Sequence, residues 1–305
     1  MGKKKANQAK LDKDAAHCIK EQIAIIQRYL KQTDFIIAIL IKLDFAKDFR
    51  GNNSPIDDDI KFSVQNLILG LGISTNSLCI LSSNPGLPTR DCYPLARTIL
   101  ETAVNICYIL AAGVEAAKNA IDHANQKAYK DLDRTSIIGD SAIKLIFSGE
   151  PTPEDAARLR VLVDQYTSRS GREKGWTDLN IDQRIDFASK RFGNNFLAKL
   201  HFARFIVYRH SSEIIHGTLF GSLFFLGLTN PTRYSDIKEK GMKEFSEQIG
   251  VQNILILMAT IFSLSAVIDA FHSVYGFPEG YKESKAYISE MYKIPWFAKI
   301  VNKGK

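Results

Sequence analysis

The sequence predicts an all-α protein: a single multi-helix, bundle-like domain with a basic N-terminal lead-in. Three observations carry that expectation. Helix start and stop signals recur along the whole chain. Nowhere do several β-branched, alternating segments stand between turn signals. The most apolar stretch, Ile254 to Ile268, has the length of a buried helix rather than of a strand.

Taken in order, residues 1–13 hold five lysines against Asp12, and residues 293–305 hold four lysines. Each end thus carries +4 of the formal net charge of +7, and the middle is balanced at −1. We expect a basic, solvated tail at 1–13, a helical domain at 14–292 and a basic tail at 293–305. Such tails touch phosphates only weakly, so the charge alone does not make a nucleic-acid binder. Leu11 to Phe49 reads as one very long helix or a pair. Ser54-Pro55-Ile56-Asp57 offers an N-cap, a proline at the first helical position and an acidic residue behind it, launching a helix to about Ser82. Asn84-Pro85-Gly86-Leu87-Pro88 ends it.

Asp91 is expected to cap a helix entered through Pro94 that runs to about Gly113 and continues as a second segment towards Tyr129. Thr152-Pro153-Glu154-Asp155 repeats the start signal, and Asn180 with Gln183 gives another, stopped at Gly193. Between them Ser170 to Trp176 is the most loop-like interior stretch. A long helix is expected from about Asn195 to Gly221. After the turn at Asn230-Pro231 the apolar helix extends to Gly276, a natural C-terminal cap.

Cys18, Cys79, Cys92 and Cys107 lack C-x-x-C spacing and fall in apolar helical segments. They read as buried free thiols in a reducing compartment, neither a zinc site nor a disulfide framework. Gly2 suits a myristoylation signal, but Ala6 stands where Ser or Thr is required, so no lipid is expected. The charge-free run from Gln248 to Ile268 includes Gln248, Gln252, Asn253, Ser263 and Ser265, which shortens its unbroken apolar part below the roughly 20 residues a bilayer needs. A buried central helix and a cytoplasmic protein are the expectation.

Two stretches hold candidate chemistry. Arg97, Glu101 and Asn105, spaced i, i+4, i+8, form one polar stripe on an otherwise apolar helix. A charge there must be paired; the stripe is either an Arg–Glu lock between helices or the lining of a pocket. In the second stretch Tyr208, Ser212 and His216 share a face, with Glu213 between Arg209 and His216 and Gly217 leaving room beside the imidazole. His216 beside a cation suits general acid–base work on an anionic group. The opposite outcome is a core histidine satisfied by a carboxylate such as Glu101. Phosphate loops, nucleophile elbows and paired metal motifs are missing, so no metal or cofactor is expected.

Arg97-x-x-x-Glu101-x-x-x-Asn105-x-x-Tyr108, then Gly175-Trp176, then Tyr208-x-x-x-Ser212-x-x-x-His216-Gly217 resembles a bacterial family of unknown function, over about Pro94 to Gly221. The resemblance implies that Arg97, Glu101, Tyr208, Ser212 and His216 meet between two helices; it brings no activity. A weaker similarity, R-x(4–6)-H, links the chain to HEPN ribonucleases, through Arg209 with His216 and also Arg204 with His210. That likeness implies metal-independent cleavage of RNA, a homodimer, and a toxin or phage-defence setting. In this form His216 moves the proton, Arg209 or Arg97 steadies the phosphate charge and Glu101 orients the cation, while Ser212, Tyr208, Asn105 and Glu213 line the site. The rival expectation is a non-enzymatic binding or interaction module in which the same residues are a packing network.

Overall fold

A computed structural model describes residues 2–42, 45–47, 53–84, 89–132, 134–145, 152–225 and 241–294. The described residues form ten helices and two small hairpins. Helix α1 (Gly2–Lys42) is continuous and takes in the lysine-rich lead-in from Gly2 onward; Lys, Ala and Gln are all good helix formers, so basic charge does not end it. Strands β1 (Phe45–Lys47) and β2 (Asn53–Pro55) pair antiparallel. Helix α2 (Asp58–Ser82) therefore starts later than expected. Its N-cap is Asp57, whose carboxylate accepts from the Asp59 amide, and Ser54-Pro55 lies in the strand before it.

Helix α3 (Thr89–Ala112) begins two residues before Asp91, which sits in its first turn and is not its cap. Gly113, at φ 85°, breaks it from α4 (Val114–Leu132), the division the sequence implied. Then comes a hairpin the sequence analysis missed. Strand β3 (Arg134–Ile138) pairs with β4 (Ser141–Leu145) across Gly139-Asp140, with Ile138 opposite Ser141. A two-residue loop led by glycine at φ 61° between β-branched runs is a hairpin signal.

Thr152 caps α5 (Pro153–Gln165), and Asn180 and Gln183 form a reciprocal capping box on α6 (Ile181–Phe192). Helix α7 (Asn194–Ile215) stops short of Gly221; α8 (Leu219–Phe225) is a separate turn of chain. Helices α9 (Gly241–Tyr275) and α10 (Pro278–Lys293) complete the bundle, with Gly276 at φ 69° between them. The C-terminal tail, apart from residues 293–294, lies outside the described residues, as do the turns at 85–88 and 230–231.

Helix α9 is the centre, packed against α1, α3, α7 and α10. Its apolar side chains are buried on every side, from Ile254 through Phe271. Several polar side chains in it bond within the fold: Asn253 donates to the Ser82 carbonyl at 3.0 Å, while Thr260 and Ser263 bond back to Ile256 and Ala259. The side-chain oxygens Oε1 of Gln252 and Oδ1 of Asn253 and Asp269 are buried without a partner among the described residues. Three helices, α2, α3 and residues 249–275 of α9, are long and apolar enough to cross a membrane by length and composition. Within this fold, 89% of the apolar window in α9 is buried, against 33% of that in α2. All four cysteines are buried free thiols, and burial pushes the Cys79 thiol up to about 11.

Candidate functional site

The stripe on α3 is a seam. Arg97 Nε donates to Glu101 at 2.9 Å, its Nη2 donates to the Tyr208 hydroxyl at 3.3 Å, and its guanidinium lies 4.3 Å from the Tyr208 ring centre. Arg204, one turn before Tyr208, lies 5.2 Å from the same ring and pairs with Asp182 at the start of α6, 2.6 Å away. Two turns further along α3, the side-chain oxygen of Asn105 accepts from Arg184 of α6. Tyr108 then packs against Trp176 and Phe187, at 5.6 and 5.3 Å between ring centres. The Trp176 loop is itself anchored: Lys127 and His123 of α4 hold Glu173, and burial beside Lys127 pulls the His123 pKa down. Arg97 and Asn105 thus meet different later segments, α7 and α6, while Glu101 braces Arg97 within α3. Half-buried, with Arg97 and Asn105 bonded to side chains of other helices, the stripe is the lock between helices.

The serine–histidine stretch behaves differently. His216 is the C-cap of α7, and its amide bonds back to the Ser212 carbonyl at 3.0 Å. Gly217, at φ 62°, ends the helix; the sequence suggested that it leaves room beside the imidazole, but a Cβ there would meet nothing, and its role is the turn. His216 and Arg209 are both exposed, so the expectation of a core histidine satisfied by Glu101 is overturned. Glu213 accepts from the Thr218 hydroxyl at 2.6 Å, and Arg209 lies 5.9 Å from the Phe220 ring. The reason is direction. Tyr93 meets His210 and Arg97 meets Tyr208, so α3 and α7 run antiparallel. His216 lies about 12 Å beyond Tyr208 along the axis, level with the start of α3, while Glu101 lies one turn the other way. The fold unites Arg97, Glu101 and Tyr208 and joins Asn105 to Arg184 of α6. It does not bring Ser212, Glu213, Arg209 or His216 to Glu101.

A different histidine occupies the cleft. Arg204, Tyr208, Arg209 and His210 line a cavity of about 640 Å3 with Tyr93 and Phe224. Gly221 makes this possible: a Cβ there would stand 2.6 Å from the Glu213 carbonyl oxygen, so only glycine lets α8 fold onto the end of α7. That fold sets the Phe224 ring parallel to His210, 3.7 Å away, with Tyr93 edge-on at 6.0 Å. Burial, helped by Arg209, pulls the His210 pKa below the ordinary value, against an opposing pull from Glu213. Its Nδ1 is buried with no hydrogen-bond partner, and so are Nε of Arg204 and Arg184. A neutral imidazole between cations is suited to accept a proton; the guanidiniums are suited to an anion. Arg204 and His210 were visible in sequence as the alternative R-x(4–6)-H pair. Arg184, Tyr93 and Phe224 carried no local signal.

A second polar cluster lies deeper. Lys199 of α7 donates to Asp269 at 2.5 Å and to Ser265 at 2.8 Å, and Ser265, Ser284 and Tyr29 continue the chain of bonds. Burial raises the Asp269 pKa, although Lys199 pulls the other way. Among the described residues no group of three or more His, Cys, Asp or Glu side chains is placed to hold a metal ion.

Residues 74–233, more than half of the 305, match a family of unknown function (DUF5677), and the chain belongs to that family. No curated protein matches, and no solved structure does.

Proposed function

We propose that this family member binds a phosphate-bearing ligand in the α7 cleft, and that it is a metal-independent ribonuclease using His210 with Arg204 and Arg209. One observation carries this: a histidine held neutral by burial shares a cleft wall with two arginines and a tyrosine. Aromatic walls beside cations suit single-stranded RNA, whose bases stack while its phosphates seek guanidinium. In the reaction His210 accepts the proton of a ribose 2′-hydroxyl and O2′ attacks the phosphorus. The charge building on the phosphate oxygens is met by Arg204 and Arg209. The P–O5′ bond breaks, O5′ takes a proton from water, the resulting hydroxide takes the proton held on His210 and restores the neutral ring, and a 2′,3′-cyclic phosphate remains. Tyr208, held by Arg97 and Glu101, fixes the wall. The HEPN likeness then rests on Arg204 with His210, and a toxin or phage-defence role in the cytoplasm is the setting it implies.

The test is RNA incubated in chelator with the wild type, His210→Gln and His216→Ala. The expected result is cleavage to cyclic-phosphate ends by the wild type and His216→Ala, and its loss in a folded His210→Gln protein. Equal background in all three sinks the enzyme. A second reading is favoured by the pairing of Arg97, Arg204 and Asn105 with partners inside the protein. Here the seam is a packing network and the cleft a binding module. Anisotropy of a labelled oligoribonucleotide that reports binding without cleavage selects it.

A further inference from the structure

Helix α2 has a face that none of the described residues covers. Beyond its first turn, its exposed residues are Phe62, Asn66, Leu69, Gly70, Ile73, Asn76 and Ile80. Without Gly70 the intervals are 4, 3, 4, 3 and 4, the 3.5-residue repeat of a helix that packs along another helix. The four large apolar members are far from buried: Phe62 is 59% exposed, Leu69 45%, Ile73 70% and Ile80 63%. From Phe62 to Thr89 the sequence has no charged residue, so no ion pair or charge repulsion shapes this face.

The pattern also reads the same in both directions. Phe62 and Ile80, Asn66 and Asn76, Leu69 and Ile73, and Gly70 and Gly72 all lie at equal distances from Leu71. About a two-fold axis at Leu71, two identical helices crossing antiparallel would set residue i of one against its mirror position on the other, here apolar against apolar and Asn against Asn.

The glycines support this independently. Neither Gly70 nor Gly72 has a positive φ, and a Cβ on either would meet nothing within 4 Å. Each weakens the helix by about 1 kcal/mol relative to Ala without serving a contact in its own chain. They flank the apolar stripe on either side and add no bulk at the edges of a helix laid along it.

We infer that α2 is a self-association surface: two copies of this chain pair through antiparallel α2 helices, with Phe62 against the partner's Ile80, Leu69 against the partner's Ile73, and Asn66 against the partner's Asn76. The asparagines, one of which now donates to the Phe62 carbonyl at 2.7 Å, fix the register, as a polar pair in an apolar seam does. In hydrocarbon the Asn76 amide and the remaining polar atoms of Asn66 would face lipid, which disfavours a membrane as the occupant. The inference rests on α2 alone and stands or falls apart from the α7 cleft.

Sedimentation of the full chain at micromolar concentration gives the mass of two chains for the wild type and of one for Ile73→Lys, with unchanged helical circular dichroism. The dimer constant weakens roughly 100-fold or more, since the lysine is buried without a partner. Orientation is read by oxidation: Asn66→Cys mixed with Asn76→Cys crosslinks, while neither does so alone, because identical positions stand about 15 Å apart along the axis. The four native thiols are buried and stay silent. A wild type that is a single chain, an Ile73→Lys protein that keeps its mass, or Asn66→Cys crosslinking to itself each overturns the inference. So does a single-chain wild type that pellets with phosphatidylcholine vesicles while Ile73→Lys does not, which assigns the face to lipid.

Discussion

The middle of α7 and its last turn carry the same kinds of side chain, an arginine followed by a histidine six or seven residues later, yet the fold treats them differently. Arg204 and His210 lie where α7 is covered by α3, α6 and α8; Arg209 stands at the exposed rim of the same cleft, and His216 lies past the covered length. In the first region the imidazole is clamped by two aromatic rings and its pKa falls; in the second it caps a helix in solvent. The lesson is that burial, and not spacing, turns an arginine–histidine pair into a chemically distinct site.

That contrast can be broken or sharpened by measurement. The largest effect is expected in the deepest part of α7. Asp269→Ala leaves Lys199 charged and buried without its partner, so we expect a loss of about 3–5 kcal/mol in urea denaturation. A variant as stable as the wild type would show that water reaches Lys199. Next, His210→Ala empties the slot between Phe224 and Tyr93 and is expected to destabilise by about 2–3 kcal/mol, whereas His216→Ala stays within about 0.5 kcal/mol. Equal effects would erase the difference between the two regions. Tyr208→Phe deletes the hydroxyl that Arg97 reaches, for about 1 kcal/mol, and Tyr208→Ala removes the stacking surface as well.

The smallest effect is with pH. The folded His210 pKa lies below its unfolded value of 6.5, so the fold favours the neutral ring. The stability linked to it is fully present above 6.5 and is lost as pH falls from there through the lower folded pKa. Melting temperature is therefore expected to drop between neutrality and about pH 5, and to drop less in His210→Phe. An identical slope in both proteins would place the acid sensitivity in His123 and His272, whose pKa values burial also lowers.

Much of the fold was legible because its signals are local. The Asn180–Gln183 box and Thr152-Pro153 state their helix starts within four residues, and the apolar run of α9 announces a buried helix. The errors share a cause. Ser54 competes with Asp57 for the same cap, and a short hairpin, not helix propensity, decides between them. The end of α7 was placed at Gly221 because Gly217 and Gly221 are equivalent as letters. Only the first adopts a positive φ, while the second is needed for contact with the Glu213 carbonyl.

The sequence by itself determined that this chain is helical, that α9 is its core, and that Arg97, Glu101 and Asn105 form one stripe, since periodicity and capping act within a few residues. Only the tertiary structure decided which histidine is enclosed and which face of α2 is left open. Those outcomes depend on the antiparallel run of α3 against α7 and on the neighbours each helix acquires, and contacts between distant segments leave no trace in local spacing.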